Sequence, residues 1–161
     1  MSSGIKPSDD AIKTYERVKG NELDWVIFKI DKELIVVDKV FPDSEDGLAK
    51  KKADKKDEEA TYSKFKDNVY DDFQEMMQTT YKTLPCFALI DFRFMSDDGP
   101  RGKLSLIQWC PDSGAKIKDK MLLASSADAF KQKLEGLHCK LQFAAVSDFD
   151  YDEIRKAVPQ K

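Results

Sequence analysis

The sequence predicts an α+β protein of three layers (α/β/α), in which a mixed central β-sheet of about five strands carries helices on both faces. Three observations lead there. The apolar residues switch between a period near 3.6 and a period of 2, in the order helix, two strands, helix, two strands, helix, strand, helix. No repeat and no Gly/Ser-rich or Pro-rich linker divides the chain. Its 161 residues suit one domain at a prior of ~150 residues each, with one core burying roughly two thirds of the unfolded surface. We therefore expect a single domain over 1–161, with a flexible N-terminal tail over about 1–6 and a charged loop insertion over about 42–60.

The elements follow in order. "KPSDDAIKTYERVKGNE" opens with Pro7 and Ser8, a good helix start, and closes at Gly20, a good stop. Ala11, Ile12, Tyr15 and Val18 recur at helical spacing and make one apolar face. "DWVIFKI" and "KELIVVDKV" read as two strands joined by a short polar hairpin. From Phe41 to Ala60 the pattern collapses into "FPDSEDGLAKKKADKKDEEA". Its basic run is nearly neutralised by "DSED" and "DEE", so a solvated loop fits it better than a nucleic-acid patch. A second helix lies in "TYSKFKDNVYDDFQEMMQT", with Phe65, Val69, Phe73 and Met76 or Met77 as its buried stripe. "PCFALIDFRF" and "KLSLIQWC" form an antiparallel pair around the Asp-Gly turn of "SDDGPRG". A third helix over 116–134, a strand in "KLQFAAV" and a terminal helix in "DYDEIRKAV" complete the chain.

Composition excludes several classes of function. No apolar run approaches the ~20 residues that span a bilayer, and "MSSGIKPSDD" has no apolar h-region, so we expect a cytosolic address. Cys86, Cys110 and Cys139 leave one cysteine over and show no C-x-x-C spacing, which predicts reduced thiols. There is no Gly-rich phosphate loop, no H-E-x-x-H and no Cys/His cluster, so neither a cofactor nor a metal is expected. Paired carboxylates such as "YDD" and "DEE" read as solvated faces or caps. One enzymatic alternative stands: Cys139 or Cys110 as a nucleophile with His138, the single histidine. It requires a thiol of depressed pKa, whereas His138 falls at the start of a strand.

The third helix concentrates charge. The chain is mildly acidic, with 27 Lys+Arg against 30 Asp+Glu. Yet "KIKDKMLLASSADAFKQKL" carries Lys116, Lys118, Lys120, Lys131 and Lys133 against only Asp119 and Asp128. At about 100° per residue, Leu123, Ala127, Phe130, Leu134 and Leu137 form the packing face, and Met121, Ser125, Asp128 and Gln132 lie opposite. An exposed Met rimmed by Lys suits a contact with an acidic protein. On composition alone a solvated helix explains the lysines more simply.

The string "LSLIQWCPDSGAKIKDKMLLASSADAFKQKL" changes that balance, because it closely resembles the signature region of the actin-depolymerising factor (ADF)/cofilin family. Trp109, Pro111, Lys118, Lys120, Met121, Ala124, Ser125 and Ser126 occur together and in order, and the likeness extends over essentially the whole chain. The resemblance implies the ADF-homology fold and a monomeric, non-enzymatic protein that binds actin monomers and filaments and promotes severing and depolymerisation. It implies a monomer-actin surface of Ser3, Gly4, Ile5, Lys118, Lys120, Met121, Ser125, Asp128 and Lys131, and a filament surface of Arg101, Lys103, Glu153, Arg155 and Lys156. It further implies phosphorylation of Ser3 (or Ser2), phosphoinositide binding by Lys118, Lys120, Lys131 and Lys133, and a place in the cytoplasm on the cytoskeleton. Nucleic acid is not an implied partner.

The sequence departs from the family pattern at Ala127, where a lysine is frequent, at Gln132 within an often basic run, and at Leu123 in place of a frequent Tyr. "SGAKIK" carries an extra residue and lacks the usual Pro before the helix, and no basic import cluster follows the first helix. Two rivals within the fold remain: a monomer-sequestering protein with weak severing, and a relative acting on the branch-nucleating complex.

Overall fold

The computed structural model describes residues 5–54, 62 and 65–159. Its elements are β1 (Lys6–Pro7), α1 (Asp9–Lys19), β2 (Trp25–Asp31), β3 (Leu34–Phe41), α2 (Glu45–Asp54), a π-helical turn (Lys66–Tyr70), α3 (Asp71–Gln78), β4 (Cys86–Ser96), β5 (Gly99–Trp109), α4 (Ile117–Lys133), β6 (Cys139–Phe143), a 3-10 turn (Val146–Phe149) and α5 (Tyr151–Ala157). They build one six-stranded sheet in the order β1-β3-β2-β4-β5-β6. The three central pairings are antiparallel, and β1/β3 and β5/β6 are parallel.

Alternation of side chains across the strands divides the core in two. On one face Trp25, Ile27, Ile90, Phe92, Phe94, Ile107 and Trp109 pack against α3, the 3-10 turn and α5 through Phe73, Met77, Phe149 and Ile154. On the other, Val26, Phe28, Leu89, Leu104 and Leu106 meet α1 and α4 through Tyr15, Val18, Leu123 and Phe130. The expected three layers are therefore present.

Local chemistry sets the helix ends. The Ser8 hydroxyl accepts from the Ala11 N–H at 3.1 Å, and the Gly20 N–H donates to the Glu16 carbonyl at 2.8 Å. These are the two limits that the sequence predicts for the first helix. At the start of β6, the His138 N–H donates to the Leu104 carbonyl, and the Leu104 N–H donates to His138 Nδ1 at 2.9 Å. The imidazole thus extends a strand pairing.

The structure corrects three expectations. The sheet has six strands, because Lys6–Pro7 pairs with Leu34–Ile35; the tail expected over 1–6 is fixed at Lys6 and buried at Ile5. The stretch expected as a loop over 42–60 contains α2. Ser44 starts that helix, its hydroxyl accepting from the Gly47 N–H at 3.0 Å; residues 55–60 lie outside the described residues. Helix α2 is held by charge: the Lys51 ammonium donates to Asp24, which Arg93 also meets at 3.4 Å. Arg93 in turn holds Asp91 at 3.0 Å. Burial pushes the Lys51 pKa down against the pull of Asp24. The third correction is a one-residue slip in the second helix. The π-helical turn adds a residue to the helical repeat, so Tyr70 is buried where spacing predicts Val69, which is half-buried.

Candidate functional site

The strand before α4 positions it. Trp109 ends β5 buried, and its indole N–H donates to the Tyr81 carbonyl at 2.7 Å. Beyond it, the Cys110 N–H donates to the Phe143 carbonyl at 3.0 Å and the Asp112 N–H to the Ala144 carbonyl at 2.9 Å. Gly114 then turns the chain at φ 83°. A side chain there would be strained, and its Cβ would lie 2.5 Å from Thr83. Helix α4 therefore leaves the sheet in a fixed direction.

Its buried face is the predicted one. Phe130 packs edge-on to Phe28, with centroids 5.2 Å apart, and also against Phe87. Leu123 and Ala127 are buried beside it. Ala127 is only 4% exposed, so the missing lysine at that position reflects packing and takes no charge from the surface.

The opposite face is unusual. Met121 is 66% exposed and Ile117, one turn earlier, is 75% exposed. With Lys118, Leu122 and Ser125 they line an open apolar depression of about 450 Å³. Asp128 is exposed on the same side. Lys120 and Lys131 flank it half-buried, and the Lys131 ammonium donates to Gln108 Oε1 at 3.4 Å. Lys133 is exposed nearer the helix end. Sequence reasoning overlooked Ile117 and Leu122; the spacing of Ile117 four residues before Met121 was the available signal.

The electrostatics of the helix start are equally unusual. Lys116 occupies the N-cap and makes no side-chain cap, and Lys118 and Lys120 follow within the first turn, with Asp119 alone opposing them in charge. Cations there oppose the positive end of the helix dipole, at about 0.3–1 kcal/mol each. The arrangement costs stability and concentrates positive potential beside apolar side chains, which suits an acidic protein partner.

The other residues assigned to this surface fare differently. Ser3 and Gly4, like Ser2, lie outside the described residues. Ile5 is 4% exposed within the core of the α1/α4 face, so its assignment as a contact is corrected: it anchors the segment. Strand β1 itself lies against α4.

The five residues assigned to the filament surface gather on the opposite face of the sheet. Arg101 pairs in register with Phe94, and Lys103 with Phe92. The Arg155 guanidinium lies 5.6 Å from the Phe94 ring centre and donates to the Met95 carbonyl at 2.8 Å. Glu153 and Lys156, both exposed, form a pair at 3.8 Å. The β4–β5 hairpin and α5 thus make one continuous edge.

The Cys139 thiol, one of the two named for the enzymatic alternative, opposes it. Burial pushes Cys86 far up and Cys139 up, the reverse of what a nucleophile needs. His138 spends Nδ1 on a backbone N–H. Among the described residues, no group of three His, Cys, Asp or Glu could hold a metal ion, and no helix is long and apolar enough to cross a membrane.

Comparison with known proteins agrees with this architecture. A family profile described as cofilin/tropomyosin-type actin-binding protein matches residues 4–159. The cofilin of Cryptococcus neoformans is 28% identical over 166 residues, covering 100% of each chain. Actophorin of Acanthamoeba castellanii is 29% identical over 157 residues, covering 94% of this chain and 93% of its own. The crystal structure of Plasmodium berghei actin depolymerization factor 2 superposes with a TM-score of 0.74 at 25% identity, covering 98% of both chains. The chain belongs to the cofilin/tropomyosin-type family of actin-binding proteins, whose members are not enzymes.

Proposed function

We propose that this protein binds actin monomers and filaments and promotes filament severing and depolymerisation. The carrying observation is the exposed Ile117–Met121 pair among the lysines at the start of α4, with a second polar surface on the far side of the sheet. The monomer surface is Lys118, Lys120, Met121, Ser125, Asp128 and Lys131, extended by Ser3 and Gly4 and by Ile117. Met121 and Ile117 fill an apolar hollow on actin while the lysines set encounter and register. Arg101, Lys103, Glu153, Arg155 and Lys156 meet a neighbouring subunit of the filament.

The mechanism is mechanical. A ligand touching two subunits shifts the filament between twist states only by its differential affinity for them. Boundaries between decorated and bare segments then carry the strain and break. No covalent step takes part. Phosphorylation of Ser3 (or Ser2) adds about −1.5 to −2 charge at the monomer surface and weakens it by repulsion. Lys118, Lys120, Lys131 and Lys133 also attract phosphoinositide headgroups. The protein acts as a monomer in the cytoplasm.

Co-sedimentation with pre-formed actin filaments tests the reading. Co-pelleting together with actin released to the supernatant is the expected result. Released actin without co-pelleting replaces severing by monomer sequestration, and neither effect rejects actin as the partner.

A further inference from the structure

A group of buried charges stands behind the β4–β5 hairpin, and its members belong to neither actin-directed surface. Asp24 before β2, Lys51 on α2, and Asp91 and Arg93 on β4 meet there. Lys51 donates to Asp24, and Arg93 reaches Asp24 at 3.4 Å and Asp91 at 3.0 Å while also donating to Asn21. Two carboxylates thus balance two cations. Such a cluster is a poor source of stability, because desolvating the charges offsets their attraction. It does fix geometry.

Strand alternation puts Phe92 and Phe94 on the α5 side of the sheet, in register with Lys103 and Arg101, and puts Arg93 and its partner Gly102 on the reverse. A Cβ at Gly102 would touch Asp91 Oδ1 at 3.4 Å and the Tyr62 hydroxyl at 3.5 Å. The Arg93 guanidinium lies 5.8 Å from the Tyr62 ring centre. The strand between Arg101 and Lys103 is therefore backed by side chains. On the other side, the Arg93 carbonyl accepts from the Tyr151 hydroxyl of α5 at 3.3 Å. Arg93 is thus tied to α5 through its backbone, and to α2 through its side chain and Asp24.

We propose that α2, acting through Lys51, Asp24 and Arg93, is a brace that holds Arg101 and Lys103 in the position that fits the filament. Lys51 is a positioning residue, since it meets Asp24 and not actin. The inference rests on the assignment of Arg101 and Lys103 to the filament surface. Without the Lys51 ammonium the cluster carries an excess carboxylate. Asp24 then turns wholly to Arg93 and draws its guanidinium off Asp91 and the back of Gly102. The α4 residues take no part in these contacts, so monomer binding is spared.

The test runs filament co-sedimentation and actin-monomer titration on variants of the full chain. Lys51→Met, which keeps the stem of the side chain, should raise the filament dissociation constant about fivefold and leave the monomer constant within about twofold. Asp91→Asn, whose side chain is 20% exposed, loosens Arg93 from the hairpin side and should show the same selective loss. A double-variant cycle separates bracing from direct contact. Added to Arg101→Ala with Lys103→Ala, Lys51→Met should cost less than about twofold more, because the brace then has nothing to position. A full fivefold loss on that background would mean that α2 acts apart from the hairpin, and would overturn the proposal. So would an unchanged filament constant in either single variant, or an equal loss for monomers, the mark of a merely structural role. If Arg101→Ala with Lys103→Ala itself binds filaments normally, the filament surface is misassigned and the brace falls with it.

Discussion

The guanidinium of Arg155 lies over the ring of Phe94, 5.6 Å from its centre, and joins the C-terminal helix to the hairpin whose opposite strand presents Arg101. Two stretches distant in sequence become one edge through that contact. Replacing Arg101 and Lys103 by alanine should raise the filament dissociation constant about tenfold while monomer affinity stays within about twofold. Co-sedimentation and monomer titration, run side by side, check this. Equal losses in both would refute a division into two surfaces.

On the α4 side, Met121→Ala should cost about 2 kcal/mol of monomer binding, or roughly thirtyfold, and Lys118→Ala with Lys120→Ala at least as much. Because Met121 points away from the core, global stability should change by less than about 0.5 kcal/mol. Titration of fluorescent actin monomers reads the first quantity and urea unfolding the second. Full affinity in Met121→Ala would remove α4 from the interface.

Ser3→Asp should weaken monomer binding about threefold to tenfold, most strongly at low salt, because the added charge faces an acidic partner. The same titration at two ionic strengths measures it. An unchanged constant would mean that the switch lies elsewhere or is missing.

The cluster around Asp24 yields a stability prediction. Asp24→Ala leaves Arg93 and Lys51 buried without their shared partner and should destabilise by about 3–5 kcal/mol. Lys51→Met removes a cation whose burial is already unfavourable and keeps its packing, so it should stay within about 1 kcal/mol. Urea denaturation of the two variants separates these outcomes.

Alkaline pH should expose the buried phenols. Burial raises Tyr15 from 10.0 to about 12, and Tyr70 and Tyr81 shift further in the same direction. The unfolded chain therefore loses these protons at lower pH than the folded one. Their contribution is complete below pH 10 and is lost as pH rises towards 12 and beyond. Lys51 works the other way, since its lowered pKa makes stability grow with pH up to its ordinary value of 10.5. The urea midpoint should fall above that value, in step with tyrosinate absorbance.

Much of this architecture can be read from local chemistry. Ser8 and Gly20 mark a helix because capping is decided within a few residues, and the two faces of α4 follow from spacing alone. Helix α2 escapes such a reading because, among its described side chains, the buried one is Lys51, whose partner Asp24 lies 27 residues away in the chain. A pattern of apolar residues cannot report a face that is buried by charge. The slip from Val69 to Tyr70 escapes for a different reason: an inserted residue in a helical turn preserves composition and changes only phase. The role proposed for Lys118 and Lys120 is the hardest to see. A lysine that docks a partner and one that confers solubility have the same composition, and only the ordered string from Trp109 to Ser126 separates them.

The two-faced sheet has a consequence for how force is handled. Its central strands β4 and β5 pair along 11 residues each, from Cys86↔Trp109 to Ser96↔Gly99. A load entering at α4 and leaving at α5 crosses that hydrogen-bonded ladder and the close-packed rings on either side of it. Such a path is stiff, because a packed core yields little before it rearranges. In the proposed binding mode, between two subunits, the protein acts as a wedge of fixed angle, and the polymer is the part that gives way.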